Sequence, residues 1–193
     1  DYGSFTQLDD LSNERVKGIV SSLDYTIDAG RFGDFTFGAG YNVTLHHTYQ
    51  QYPGDPVIQL LRNPYWSFEF KTIFNGSVTW DFGKWSTTLA GVRYGKTPNY
   101  YAGSYSTGYA TPCLTSGGYT TCPGTIGPWI LYNGSVKYQV TQDISAQLIV
   151  NNIFDKMPPP DSTWVGWPYY SVDNYNPFGR IIWLDLNIHF GGR

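Results

Sequence analysis

From Phe35 to Tyr49 the chain alternates without a break. Phe35, Phe37, Ala39, Tyr41, Val43, Leu45, His47 and Tyr49 stand on one side, and Thr36, Gly38, Gly40, Asn42, Thr44, His46 and Thr48 on the other. Strand side chains point alternately to the two faces, whereas a helix repeats every ~3.6 residues. A period of two held this long predicts a strand with one apolar and one polar face. Globular strands usually run only about five or six residues, so this one needs an unusual sheet.

Six further segments repeat the pattern. Glu14–Asp28 carries Ile19, Leu23, Tyr25 and Ile27 on one face. Trp66, Phe68, Phe70, Phe74, Val78, Trp80 and Phe82 share a face up to a turn at Asp81–Lys84. Trp85–Tyr94 returns, with Ala90, Val92 and Tyr94 expected on the apolar face and Leu89 opposite. Ile130, Tyr132, Val136, Tyr138 and Val140 mark a fifth segment, and Ile144, Ala146, Leu148 and Val150 a sixth. The last, Phe178–Phe190, sets Ile182, Leu184, Leu186 and Ile188 against Trp183, Asp185, Asn187 and His189.

Connections alternate short and long, and all twelve prolines lie in the long ones. Proline removes a ladder donor and fixes φ, so its confinement there delimits the strands. The copies Asn75-Gly76-Ser77-Val78 and Asn133-Gly134-Ser135-Val136 would ordinarily suggest hairpin turns. The alternation runs through both in phase, so both are expected inside strands.

A soluble sandwich also alternates, but strand length and aromatic placement argue against it. Tyr25, Phe35, Trp80, Phe82, Tyr138 and Phe190 cluster near the short turns, and Tyr49, Trp66, Tyr94, Tyr132 and Phe154 near the long loops. Two aromatic girdles, short turns at one end and long loops at the other describe an antiparallel transmembrane β-barrel of the outer-membrane type. Composition agrees: 18% aromatic and 14% charged, with 17 Tyr and 7 Trp. The chain has no apolar run near the ~20 residues of a membrane helix. A net charge of −3 leaves no footprint for nucleic acid. Seven strands put the first and last in the same direction, so the chain is expected to be an incomplete barrel segment. It would need more polypeptide along the Glu14–Asp28 and Phe178–Phe190 edges, because open edges in lipid strand backbone polar groups.

At the third long loop the residues resemble a known family. Asn151-Asn152-Ile153-Phe154-Asp155-Lys156 followed by prolines, Pro177-Phe178-Gly179-Arg180, and an alternating end at Phe190 are similar to the C-terminal part of a TonB-dependent outer-membrane receptor. Gly191-Gly192-Arg193 follow Phe190, where the family usually closes on an aromatic. The resemblance covers residues 1–193. It implies the last strands of a 22-stranded barrel whose N-terminal plug lies outside this chain. Partners would then be the remaining barrel and plug, TonB acting through that plug, and outer-membrane lipid. The implied task is active uptake of a scarce nutrient such as an iron chelate, vitamin, oligosaccharide or peptide. Short turns and C-terminus would be periplasmic and long loops extracellular, with Asp1 starting in such a loop as after cleavage, in a split receptor or in a partial chain. A surface receptor or adhesin scaffold and a porin-like channel are the alternatives.

The ligand-binding candidates are loop aromatics with polar tips: Tyr100, Tyr101, Tyr105 and Tyr109, then Trp164, Trp167, Tyr169 and Tyr170, with Tyr175 beside them. Such side chains suit sugars, peptides or chelates, or else pack the loops together. Asn151, Asn152, Phe154, Asp155, Gly179, Arg180 and Phe190 are family markers, expected to tie down the strand exit rather than bind ligand. Cys113 and Cys122 close a short Gly/Thr-rich loop, which predicts a disulfide and an oxidising compartment, worth about 2.5–3 kcal/mol. His46 is expected to face the lumen near the outer rim and His189 the periplasmic end, neither near a ligand cluster. Without a Ser/His/Asp set, paired carboxylates or a phosphate loop, the chain is expected to be no enzyme, with neither metal nor cofactor.

Overall fold

The computed structural model describes residues 12–63, 69–100, 115–116, 119–120, 124–161, 163 and 167–190. The alternating segments form seven long strands: β1 (Asn13–Asp28), β2 (Asp34–Gln50), β3 (Thr72–Phe82), β4 (Trp85–Tyr94), β5 (Trp129–Gln139), β6 (Ile144–Asn151) and β7 (Ile181–Ile188). They pair antiparallel in chain order in one open sheet, and a short eighth strand, Ile58–Gln59, adds to β2. The protein is all-β, with almost no helix among the described residues. Residues 29–33, 83–84 and 140–143 turn the chain at one end, and 51–71, 95–128 and 152–180 connect strands at the other. Gly76 and Gly134 sit inside β3 and β5, as the in-phase alternation requires.

Register corrects three side-chain assignments. In β4, Phe82 pairs with Trp85 across a two-residue loop, Val78 with Leu89 and Gly76 with Gly91. Gly83, at φ +58°, supplies the backbone that so tight a turn needs. Counting by twos from Trp85 puts Leu89, Gly91 and Arg93 on the apolar face, and Ala90, Val92 and Tyr94 on the polar one. The turn, not the strand's own hydrophobicity, sets its phase.

The second correction is a bulge in β2. Gly18 pairs with Thr44 but Lys17 with His46, so Leu45 is an extra residue. A bulge exchanges the faces of everything beyond it. His46 and Thr48 therefore join the apolar side and His47 and Tyr49 the polar side, opposite to the unbroken alternation. Gly18 permits this crossing, since a Cβ there would lie 2.8 Å from the Val43 carbonyl oxygen. Third, β3 begins at Thr72, and Phe70 packs on the polar side of the sheet rather than in line with Phe74. Trp66 and Phe68 lie outside the described residues.

The apolar face carries two rows of aromatics. Phe35 pairs with Trp80, and Phe82 with Trp85, which pairs with Tyr138. Trp80 stacks on Phe82 at 5.7 Å, and Trp85 lies 4.5 Å from Tyr138. Tyr41, Phe74 and Tyr132 make the other row, with Phe154 edge-on to Tyr132 at 5.4 Å. On β2, β3 and β5 the rows are six residues apart, about 20 Å along a strand. Tyr41 and Phe74 thus take the places expected of Tyr49 and Tyr94. Between and beside the rows the face stays exposed, with Leu23 at 64% and Leu184 at 79%.

Candidate functional site: the loop-covered end of the polar face

At the long-loop end the polar face is not open. Trp129 and Tyr94 are cross-strand neighbours, stacked at 5.6 Å. Tyr175, from the β6–β7 connection, meets Trp129 edge-on at 5.4 Å, and Phe70 at 5.3 Å. Tyr170 packs on Tyr175 at 6.4 Å, and Phe70 lies 4.8 Å from Tyr94. Phe70, Trp129, Tyr170 and Tyr175 are all buried. Each ring pair contributes about 0.5–1.5 kcal/mol beyond its area. Together they pin two long connections to the polar side of the sheet's rim.

The Tyr175 hydroxyl lies 3.5 Å from Thr97 Oγ1. Burial raises its pKa, the Asp161 charge adds to that, and the Thr97 bond opposes it, so Tyr175 remains a neutral phenol. Asp161 is buried and accepts from the Tyr100 N–H at 2.6 Å, the Thr163 N–H at 2.8 Å and the Thr163 hydroxyl at 2.6 Å. A buried carboxylate is tolerable only when bonded in this way. Through Tyr100, the β4–β5 connection is tied to the β6–β7 connection.

The first long connection has its own tie. His47, turned to the polar side by the bulge, sets Nδ1 2.5 Å from Glu69 and Nε2 2.6 Å from Glu14. Carboxylates only accept, so a ring holding both bonds donates from both nitrogens and is an imidazolium. This site lies beyond the aromatic row, outside the stretch between the two rows. Burial lowers the His47 pKa, but the bonds and charges of Glu69 and Glu14 outweigh it and the net pKa is raised.

The Asn-Asn-Ile-Phe-Asp motif is a knot at the exit of β6. Asn152, at φ +52°, exchanges bonds with Lys156 through its side-chain amide, and its N–H donates to Asn133 Oδ1 at 2.8 Å. Asp155 Oδ1 accepts the Arg180 N–H at 2.7 Å, which closes residues 152–180 onto the start of β7. A Cβ at Gly179 would collide with that carboxylate oxygen. Asn151 pairs with Ile181. These motif residues thus meet as a structural clasp.

Deeper on the polar face is a hollow of about 450 Å³ bordered by Ser22, Asp24, Asn42, Asn75 and Ser77. Gly38 and Gly40 open it, because Ser77 and Asn75 lie across the glycine positions. Hydroxyls, amides and one carboxylate there can hydrogen-bond a polar solute. Among the described residues no three His, Cys, Asp or Glu side chains are grouped to hold a metal ion. Glu14 and Glu69 flank opposite nitrogens of His47 and converge on no common point.

Of the aromatic candidates, Tyr170 is packing, Tyr100 is half-buried, and Trp167 and Tyr169 are exposed at 86% and 54%. Tyr101, Tyr105, Tyr109 and Trp164 lie outside the described residues, as do Cys113 and Cys122 with their expected disulfide. Phe154 and Phe190 are exposed. Sequence reading missed Trp129, Asp161 and the Glu14–His47–Glu69 set. Only the run of three acceptors and donors at one strand level would have marked the last, and the bulge hides that level. No family model matches the chain, and no curated protein sequence matches it.

Proposed function

We propose that this chain forms wall and mouth of an outer-membrane barrel of the TonB-dependent receptor type, active in uptake of a scarce polar nutrient. One observation carries the reading: the three long connections are tied to the polar face, while the opposite face stays apolar between two aromatic rows. In water that arrangement would be inverted, because loops would cover the exposed Leu23, Leu184 and Leu186 instead. In a bilayer the apolar face meets lipid and the loops fold inward over a lumen. The edges support the same reading. All sixteen residues of β1 are exposed, and among the described residues the outer edges of β1 and β7 have no neighbouring strand in the sheet. Further strands would satisfy their backbone groups. Trp167 and Tyr169, standing clear of the packed cluster, are the first ligand contacts on this reading.

The test is fractionation followed by the mass of the detergent-solubilised assembly. Expected are recovery with the outer membrane, a mass above the 21.8 kDa of this chain, and a plug carrying a TonB box in the same assembly. A water-soluble 21.8 kDa monomer would overturn the barrel, and a membrane assembly without a plug would leave a passive channel or adhesin.

A further inference from the structure

The apolar face is not smooth. A trough of about 660 Å³ runs along it over Gly76 and Gly91, walled by Phe37 and Leu89 on one side and Phe74 and Tyr132 on the other. Gly76 and Gly91 are cross-strand neighbours in the middle of the sheet. Neither needs to be glycine for its backbone: neither has positive φ, and the nearest atoms to an added Cβ would be ring carbons of Phe74 or Tyr132 at 3.4–3.5 Å, ordinary contact distances. This differs from Gly18 and Gly33, where a Cβ would strike a carbonyl. What these two glycines provide is the space itself.

Arg93 lines the same trough at its long-loop end, directly opposite Phe74 and Ile130. It is exposed and has no ion-pair partner among the described residues. A guanidinium on an apolar face, level with an aromatic row, sits where a bilayer's anionic headgroups begin. Lys17 and Arg15 add charge on the same side, farther toward the long loops.

We propose that this trough is a binding site for one phosphorylated, multiply acylated glycolipid of the outer leaflet, with an acyl chain over Gly76 and Gly91 and a phosphate on Arg93. The proposal rests on the barrel reading, because only then does this face meet lipid. Apolar surface alone would not select one lipid from many, since tails are as apolar as the protein. Selection comes from close van der Waals fit over small residues and from a bidentate guanidinium–phosphate contact. The glycolipid is favoured over a glycerophospholipid because the cationic end of the trough faces the long loops, the side that the barrel reading places at the outer leaflet.

The assembled protein, purified from outer membranes in mild detergent, can be stripped of lipid and offered vesicles of lipid A or of phosphatidylglycerol. Bound lipid is then counted by native mass spectrometry. Expected is one lipid A per copy for the wild type. Arg93→Gln should lower lipid A affinity about tenfold, the loss of one charged hydrogen-bonding contact. Gly91→Leu should abolish occupancy, with folding of both variants checked by the unchanged heat-modifiable mobility of the barrel. Equal retention by all three proteins, a preference for phosphatidylglycerol, or a trough filled by a second copy in cross-linked dimers would overturn the proposal. A protein found in the outer membrane but holding no lipid refutes this site alone, whereas a soluble protein refutes the barrel reading as well.

Discussion

The two faces of the sheet share every backbone hydrogen bond and yet are finished in opposite ways. The apolar face is held by ring-to-ring contacts, and between its two aromatic rows Leu23, Phe37, Leu89 and Leu148 stay exposed. The polar face is held by bonded sets: buried Asp161 with Tyr100 and Thr163, buried Tyr175 with Thr97, and half-buried His47 with two carboxylates. A covered polar face beside an uncovered apolar one is the reverse of a soluble domain's logic. It makes sense if the solvent on the apolar side is hydrocarbon and water stands on the other.

Four perturbations can break or sharpen that contrast. Trp129→Ala empties the fully buried centre of the loop cluster and should cost about 3–5 kcal/mol. Hydrogen exchange should then show opening in residues 167–177, and unchanged protection there would mean the rings are not what holds the loops. Next, Val136→Arg, on the apolar face between Tyr132 and Tyr138, should cost about 2–4 kcal/mol in lipid vesicles. Lys137→Ala, one residue away on the polar face, should stay within about 0.5 kcal/mol. Equal costs at 136 and 137 would erase the distinction between the faces.

A third, smaller effect is expected at the motif clasp. Asp155→Ala should cost about 0.5–1.5 kcal/mol by removing the bond that holds the Arg180 N–H. Gly179→Ala should resemble it by displacing the same carboxylate, and the double variant should therefore be less than additive in urea titrations. Full additivity would show that Gly179 and Asp155 act separately. The smallest effect is on the His47 tie. Its pKa is raised in the folded protein, so its stabilisation is complete below the ordinary value near ~6.5. That stabilisation is lost as pH rises through the raised folded value. Exchange protection at residues 69–71 should fall over that window in the wild type and stay flat in His47→Phe. A fall that persists in His47→Phe would assign the pH dependence elsewhere.

Much of this fold is legible residue by residue. Alternation from Phe35 to Val43, from Phe74 to Phe82, and through β5, β6 and β7 predicts the strands and the apolar face they carry. The confinement of proline to three connections predicts which end holds the loops. Failures fall where a second strand decides. Ala90, Val92 and Tyr94 look as apolar as Leu89, and only the Phe82–Trp85 pairing across the two-residue turn selects between them. His47 reads as part of an apolar face until Leu45 is skipped in the pairing with β1. Phe70 continues the spacing of Phe74 but belongs to a loop that folds inward. The candidate site was legible as aromatic composition but not as roles, because Tyr170 and Trp167 look alike in a sequence and differ only in whether Tyr175 stands beside them.

What the sequence by itself determined is the period of two, the number of long strands and the presence of one apolar and one polar face, since these depend on single residues and their neighbours along the chain. What only the tertiary structure decided is which residues share a level: Glu14 with His47 and Glu69, Asp155 with Arg180, Gly76 with Gly91 and Arg93. Those depend on register, and register is a property of two strands at once. One extra residue at Leu45 is enough to turn a histidine from one side of the sheet to the other.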